Sequence, residues 1–190
     1  MYKTPSDLPD FDQQFIQTRT VLFFGEVTAA LVQTVSEQLL LLAAQSAMDI
    51  KLVVNAQGGP VSAGEALFDL IGGIGARVKV IGAGAVSQAA ALAFVAPPRA
   101  QRYCLPHARF SLYQSLEGGA GLAGHDAAQA LATAEELARH RRRVQELLAR
   151  RTGQPLDVIT RDTERPQWLS AQEALTYGLV GQVVRGLGDV

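Results

Sequence analysis

The sequence predicts an α/β fold on a largely parallel sheet. Short β-branched runs alternate with segments of helical period, and Gly- or Pro-containing breaks separate them. The 48% hydrophobic and 18% charged composition over 190 residues is that of one globular domain large enough to bury a core.

Residues 1–18 form a polar, Pro-containing arm, and residues 19–186 form the domain. A short apolar strand is expected over 20–24. Residues 28–47 place Leu31, Val35, Leu39 and Leu42 on one helical face, with Thr28 as the cap. The continuous run 50–54 suits a buried parallel strand. Gly58-Gly59-Pro60 breaks the chain, and Pro60 opens a helix over 61–74. A strand over 77–81, a Gly-rich turn at 82–84 and a helix over 87–95 repeat the cycle. Strands follow near 101–105 and 109–113. A Gly-rich stretch over 118–124 then leads into a long helix that ends near Thr152, with Gly153 as its stop. Ser170 and Glu173 form a capping box for a short helix, and a last strand is expected over 180–184.

The bulk numbers exclude several classes. A net charge of −1 gives no electrostatic reason to bind nucleic acid or an anionic membrane. The basic run Arg139, Arg141, Arg142 and Arg143 is balanced by Glu135, Glu136 and Glu146, as on a solvated helix face. Cys104 is the single cysteine and cannot form an internal disulfide, which favours a reducing, cytoplasmic setting. The N-terminus lacks the basic-then-apolar pattern of a signal peptide. Residues 80–96 are Ala- and Gly-rich, carry Ser87 and Gln88, and stop at Pro97-Pro98, which fits close packing rather than a membrane span. His107, His125 and His140 are scattered, so no metal and no cofactor is expected.

Five strings in order resemble the proteolytic subunit family of the Clp protease, ClpP. Asn55-Ala56-Gln57-Gly58-Gly59-Pro60-Val61-Ser62-Ala63-Gly64 is similar to its Asn-Ser-Pro-Gly-Gly-Ser-Val-x-Ala-Gly turn. Gly84-Ala85-Val86-Ser87 resembles the nucleophile turn, and Arg102-Tyr103-Cys104-Leu105-Pro106 the Arg-Phe-x-Leu-Pro strand. Thr152 to Leu156 followed by Arg161 to Arg165, and then Ser170 to Val180, complete the match over about residues 19–185. The resemblance implies the ClpP/crotonase fold, a spiral of ββα units with a protruding handle helix in the region of residues 117–153. It also implies heptameric rings, stacked in pairs, with a Clp ATPase docked on the ends.

The resemblance implies Ser87 as the nucleophile, although a lone Ser before an Ala-rich helix also reads as an N-cap. The backbone N–H groups of Gly59 and Gln88 would serve the oxyanion, with Pro60 restricting Gly59 to extended conformations. The base and its orienting acid are replaced. The family's Met-Ile-His-Gln-Pro is Ser111-Leu112-Tyr113-Gln114-Ser115, which puts Tyr113 at the histidine, and the aspartate falls on Pro166. A phenol keeps its proton at neutral pH, and proline has no side-chain acceptor. None of the other histidines, nor Lys3, Lys51 or Lys79, is positioned to substitute, and Cys104 reads as a core residue. The chain is therefore expected to be inactive, or nearly so, as a peptidase.

The family's apolar ATPase-docking pocket maps onto Lys51, Val53, Val80, Gly82, Tyr103 and Leu105. Lys51 brings a charge there and Gly82 removes a side chain, so docking should weaken. An ordinary strand-edge lysine explains Lys51 equally well. The stretch from Glu117 to Gly153 exceeds the family pattern by about four residues, about 6 Å if helical. Glu164 and Arg165 keep the family's ring-contact pair. The expectation is a ClpP-like pseudoprotease that pairs with itself in heptameric rings or with an active paralogue. Its competitors are an active serine peptidase with a base from elsewhere and a crotonase-like acyl-CoA enzyme.

Overall fold

The computed structural model describes residues 17–114 and 127–190. The N-terminal arm, the Gly-rich stretch over 118–124 and His125 lie outside them. Seven strands form one sheet: β1 (Thr20–Glu26), β2 (Ile50–Gln57), β3 (Val78–Ser87), β4 (Arg102–Cys104), β5 (Arg109–Ser111), β6 (Leu169–Ser170) and β7 (Gln182–Val183). The main path runs β1-β2-β3-β4-β7, all parallel, while β5 joins β3 in parallel and β6 pairs antiparallel with β5. Among the described residues six α-helices connect or cover the strands: α1 (Ala29–Gln45), α2 (Val61–Gly73), α3 (Ala89–Phe94), α4 (Ala127–Thr152), α5 (Leu156–Glu164) and α6 (Ala171–Tyr177).

Local chemistry sets most of these elements as expected. The Thr28 side chain caps α1 by accepting from the Leu31 N–H at 3.2 Å, and Val35, Leu39 and Leu42 are its buried face. Pro60 is the N-cap of α2. Gly153 takes φ +78° directly after α4, and Ser170 with Glu173 forms a complete capping box on α6. Only the last turns of α4 are buried, through Val144, Gln145, Leu148 and Thr152. The helix α5, which the sequence reading passed over, starts at Pro155 with Asp157 in its first turn and buries Ile159.

Two expectations are corrected here. The last strand is only Gln182–Val183, because Gly181 packs against the Arg99 carbonyl and Val184 is already past the pairing. The Gly-rich run 82–84 is not a turn. The strand β3 runs through it and changes partner, pairing with β4 over Val80–Gly82 and with β5 over Ala85–Ser87. Both glycines are required by this exchange. A Cβ on Gly82 would stand 2.7 Å from Cζ of Phe110, and one on Gly84, at φ +96°, would stand 2.6 Å from Oδ1 of Asn55. That Asn55 oxygen accepts from the Ala85 N–H at 2.9 Å, opposite a register shift in β2.

The exchange bends β3 over a core in which every residue of α3 is buried. Phe94 and Phe110 meet there at 5.0 Å between centroids with a 60° tilt. Gly64 lets α2 approach this helix so closely that a side chain would collide with the Ala89 carbonyl oxygen.

Arg102, 1% exposed, is the largest fully buried side chain among the described residues. Its Nε donates to the Pro97 carbonyl at 2.7 Å and its Nη1 to the Arg151 carbonyl at 2.9 Å, with Gly178 and Leu179 carbonyls at 3.5 Å. Burial, then repulsion from Arg151 and Arg99, pulls its pKa down to about 10. Substitution Arg102→Met leaves these inward carbonyls without a donor. It should cost about 3 kcal/mol or more of folding free energy, read from urea denaturation. A loss under about 1 kcal/mol would show that they find other donors.

Candidate functional site

The C-terminal ends of adjacent parallel strands meet at one cleft of about 400 Å³, lined by Glu26, Gln57, Gly58, Ser87, Gln88, Ser111, Tyr113, Pro166 and Trp168. Glu26 pairs with Gln57 across β1 and β2, and Ala56 pairs with Val86, so Glu26, Gln57 and Ser87 end three neighbouring strands at one level. Ser87 is 6% exposed and closes β3, which corrects the expectation that it opens the helix. The cap position of α3 belongs to Gln88, whose φ of 52° and ψ of −121° is a backbone conformation that few non-glycine residues adopt. This sharp corner ends the strand and starts the helix within one residue, leaving the Ser87 side chain at the cleft.

Gly58, at φ +75°, lines the cleft beside Ser87, and a Cβ built on it would lie 3.6 Å from Oε1 of Gln88 and 3.7 Å from Cγ of Glu26. Gly59 has φ +77°, not the extended conformation expected before Pro60, and a side chain on it would strike the Val27 carbonyl. Both glycines are demanded by backbone conformation, and Gly59 also by this contact.

Tyr113 and Pro166 reach the cleft on two segments that are tied together. The strands β5 and β6 pair through Arg109 with Ser170 and Phe110 with Leu169, and the Gln114 N–H donates to the Thr163 carbonyl at 3.0 Å. Beyond the cleft, Asp162 is 7% exposed and accepts from the Tyr177 hydroxyl at 2.9 Å and from Nε of Arg161 at 3.0 Å. Burial, and then this contact, pushes the Tyr177 hydroxyl pKa up, so the phenol remains the donor. The buried carboxylate is thereby engaged away from Ser87, against a small space shared with Leu112, Gln167 and Leu169.

No histidine among the described residues lines the cleft. His107 is exposed in the turn between β4 and β5, and His140 on α4 lies 2.8 Å from Glu65 on α2. Lys51 donates to the Leu187 carbonyl at 2.9 Å, and Lys79 pairs with Asp49 at 3.1 Å, so neither amine stands at Ser87. Cys104 is buried, and burial raises its thiol pKa to about 11. Arg139, Arg142 and Arg143 of α4 pair with Glu135, Glu136 and Glu146 on its own surface. No helix among the described residues is long and apolar enough to cross a membrane.

The six docking-pocket positions do not share one face of the sheet in this chain. Lys51 and Val53 stand in register with Lys79 and Ile81, and Tyr103 with Ile81. Val80 and Gly82 stand with Leu52, Val54, Arg102 and Cys104, on the face that packs into the core. Lys51 lies on an interior strand between β1 and β3, not at a sheet edge. Glu164 and Arg165 line a separate surface groove of about 550 Å³ with Arg142, Leu156, Asp157, Thr160 and Arg161.

Sequence reasoning missed Glu26, Ser111 and Trp168 as cleft residues. The available signal was positional, since Glu26 directly follows an apolar strand run and Trp168 lies two residues beyond Pro166.

The sequence model of the Clp protease family matches residues 6–186. The chain is 39% identical to ATP-dependent Clp protease proteolytic subunit 3 of Rhizobium etli, over 94% of this chain and 90% of that one. It is 36% identical to the ATP-dependent Clp protease proteolytic subunit of Paracoccus denitrificans, over 90% and 83%. In three dimensions it is similar to ClpP1 from Listeria monocytogenes, with a TM-score of 0.83 and 36% identity, covering 94% of this chain and 98% of that one.

The segment that carries Pro166 and Trp168 is anchored at Ser170, whose N–H and hydroxyl both donate to Oε2 of Glu173 at 2.7 Å. Those bonds, the backbone one first, hold the Glu173 carboxyl below its usual pKa. A carboxyl lowered in the folded state adds stability above its unfolded pKa and loses it as pH falls through the folded value. The Glu173→Gln variant should therefore lose less stability than the parent between about pH 6 and pH 3, followed by denaturant midpoints. Parallel acid limbs would refute the linkage.

Proposed function

The chain belongs to the Clp protease family, and within it we propose a ring-forming subunit that retains the nucleophile position at Ser87 but has lost peptidase chemistry. The observation that carries this reading is the cleft lining, where Ser87 shares the space with Tyr113 and Pro166 and with no histidine among the described residues. Serine proteolysis needs a group that takes the hydroxyl proton and a second that orients it. Tyr113 brings a phenol where a base is needed, and Pro166 offers no side-chain acceptor at all. Asp162, the buried carboxylate of the same segment, accepts from Tyr177 and Arg161 instead. Glu26 ends the strand two places from Ser87, which at ordinary strand spacing is about 10 Å between backbones.

A structural role in an assembly is supported by apolar surface that a lone subunit leaves in water. Leu22, Phe24, Leu40, Leu41, Met48, Leu131 and Leu137 are all exposed. Glu164 and Arg165 are also exposed, beside the groove between α4 and α5, where a neighbouring subunit could engage them. Rings of this chain alone, or mixed with an active paralogue, satisfy both features. Docking of a Clp ATPase is weakened by the ammonium of Lys51, which stands on the sheet face shared with Val53 and Tyr103.

The protein should hydrolyse short fluorogenic peptides no faster than its Ser87→Ala variant. Tyr113→His combined with Pro166→Asp should then raise Ser87-dependent turnover by about a hundredfold or more. Parent turnover that Ser87→Ala abolishes would end the pseudoprotease reading. Size-exclusion chromatography with negative-stain imaging should show ring particles, of this chain alone or after co-expression with an active paralogue. A monomer under both conditions would end the ring-subunit reading.

A further inference from the structure

Among the described residues, Glu26 is the only ionisable carboxylate or base that lines the Ser87 cleft. It ends β1, in register with Gln57, and its Cγ lies 3.7 Å from the point where Gly58 would carry a Cβ, so the side chain leans over the glycine turn. It forms no ion pair or hydrogen bond with the described residues. The other polar lining groups among the described residues are the amides of Gln57 and Gln88 and the hydroxyls of Ser87, Ser111 and Tyr113. Arg109 lies over Trp168, 5.9 Å from the ring centroid, but does not line the cleft. Among the described residues the space is therefore a polar slot with one carboxylate, its lining completed by Gly58, Pro166 and the rings of Tyr113 and Trp168.

We propose that this cleft binds extended polypeptide and selects segments that carry a lysine or arginine side chain, through Glu26. The proposal rests on the reading that the Ser87 cleft keeps its shape but has lost peptidase chemistry. A chain crossing Ser87 in extended conformation advances about 3.3 Å per residue. A basic residue two or three positions from the one at Ser87 therefore comes level with the end of β1. There the ammonium or guanidinium meets an otherwise unpaired carboxylate, and its aliphatic stem lies along Gly58 and Gln57. An acidic residue at the same point meets like charge.

Trp168 is the single tryptophan of the chain and stands in the cleft wall, so its fluorescence reports occupancy. The assembled full-length protein is titrated with three capped hexapeptides that differ at one position, as lysine, norleucine or glutamate. The lysine peptide should bind about two- to fivefold more tightly than the norleucine peptide, and the glutamate peptide more weakly than both. The lysine advantage should vanish in Glu26→Gln and shrink as salt is raised. Equal affinities, an advantage that survives Glu26→Gln, or binding by none of the peptides would each overturn the proposal. Peptide masses are read after each titration. Cleavage would count against the loss of peptidase chemistry, while the affinity ratio would still decide the role of Glu26.

Discussion

The buried guanidinium of Arg102 is the interaction on which the rest of this structure leans. Helix ends leave carbonyls that no intrahelical N–H reaches, and a fold that turns several such ends inward must supply donors. Here the chain after α3, the last turn of α4 and the exit from α6 all direct carbonyls at one point, and one planar side chain with five N–H groups receives them. Lysine would bring a single point charge to the same place. Arg99 adds a second clasp by donating to the Leu175 and Val180 carbonyls. Through these two arginines the handle helix and the C-terminal strand are fixed to the sheet that carries the cleft.

The second constraint is the partner exchange of β3. A strand that pairs with β4 and then with β5 must bend between them, and the bend falls at Gly82 and Gly84, where only hydrogen fits against Phe110 and Asn55. The bend swings the end of β3 toward the segments that bear Tyr113 and Pro166, and the cleft is the space between. Geometry at the site is thus a consequence of core packing, since the residue that excludes a side chain at Gly82 is the same Phe110 that stacks on Phe94.

These causes explain what the sequence disclosed and what it withheld. The caps at Thr28 and Ser170, the buried face of α1 and the Gly153 stop depend on neighbours within one or two turns, so local pattern sufficed. The Gly82–Gly84 run looked like a turn because local pattern cannot distinguish a glycine that must bend from one that must make room for a distant ring. Ser87 looked like a cap because the one-residue corner at Gln88 is enforced by tertiary contacts and not by a preference of glutamine. The positions of Ser87, Tyr113 and Pro166 were legible only through resemblance, and Glu26 and Trp168 left only a positional hint, because the cleft they line is assembled by strand register and by the pairing of β5 with β6.

The same coupling bears on how the site keeps its shape with Tyr113 and Pro166 in its wall. Preserved architecture around a serine is often taken to mean preserved chemistry. In this chain the features that would aim a nucleophile also hold the core. Asn55 bonds the bulge of β3, Gly64 admits α3 against α2, and Gly59 passes Val27 at a distance no side chain allows. Changing any of them would cost folding free energy whether or not Ser87 reacts. Tyr113 and Pro166 stand in the cleft wall beside Ser87 and, among the described contacts, carry no side-chain hydrogen bond that the core requires. Under the reading proposed above, groups needed only for proton transfer could change, while the backbone that presents Ser87 is held in place by stability.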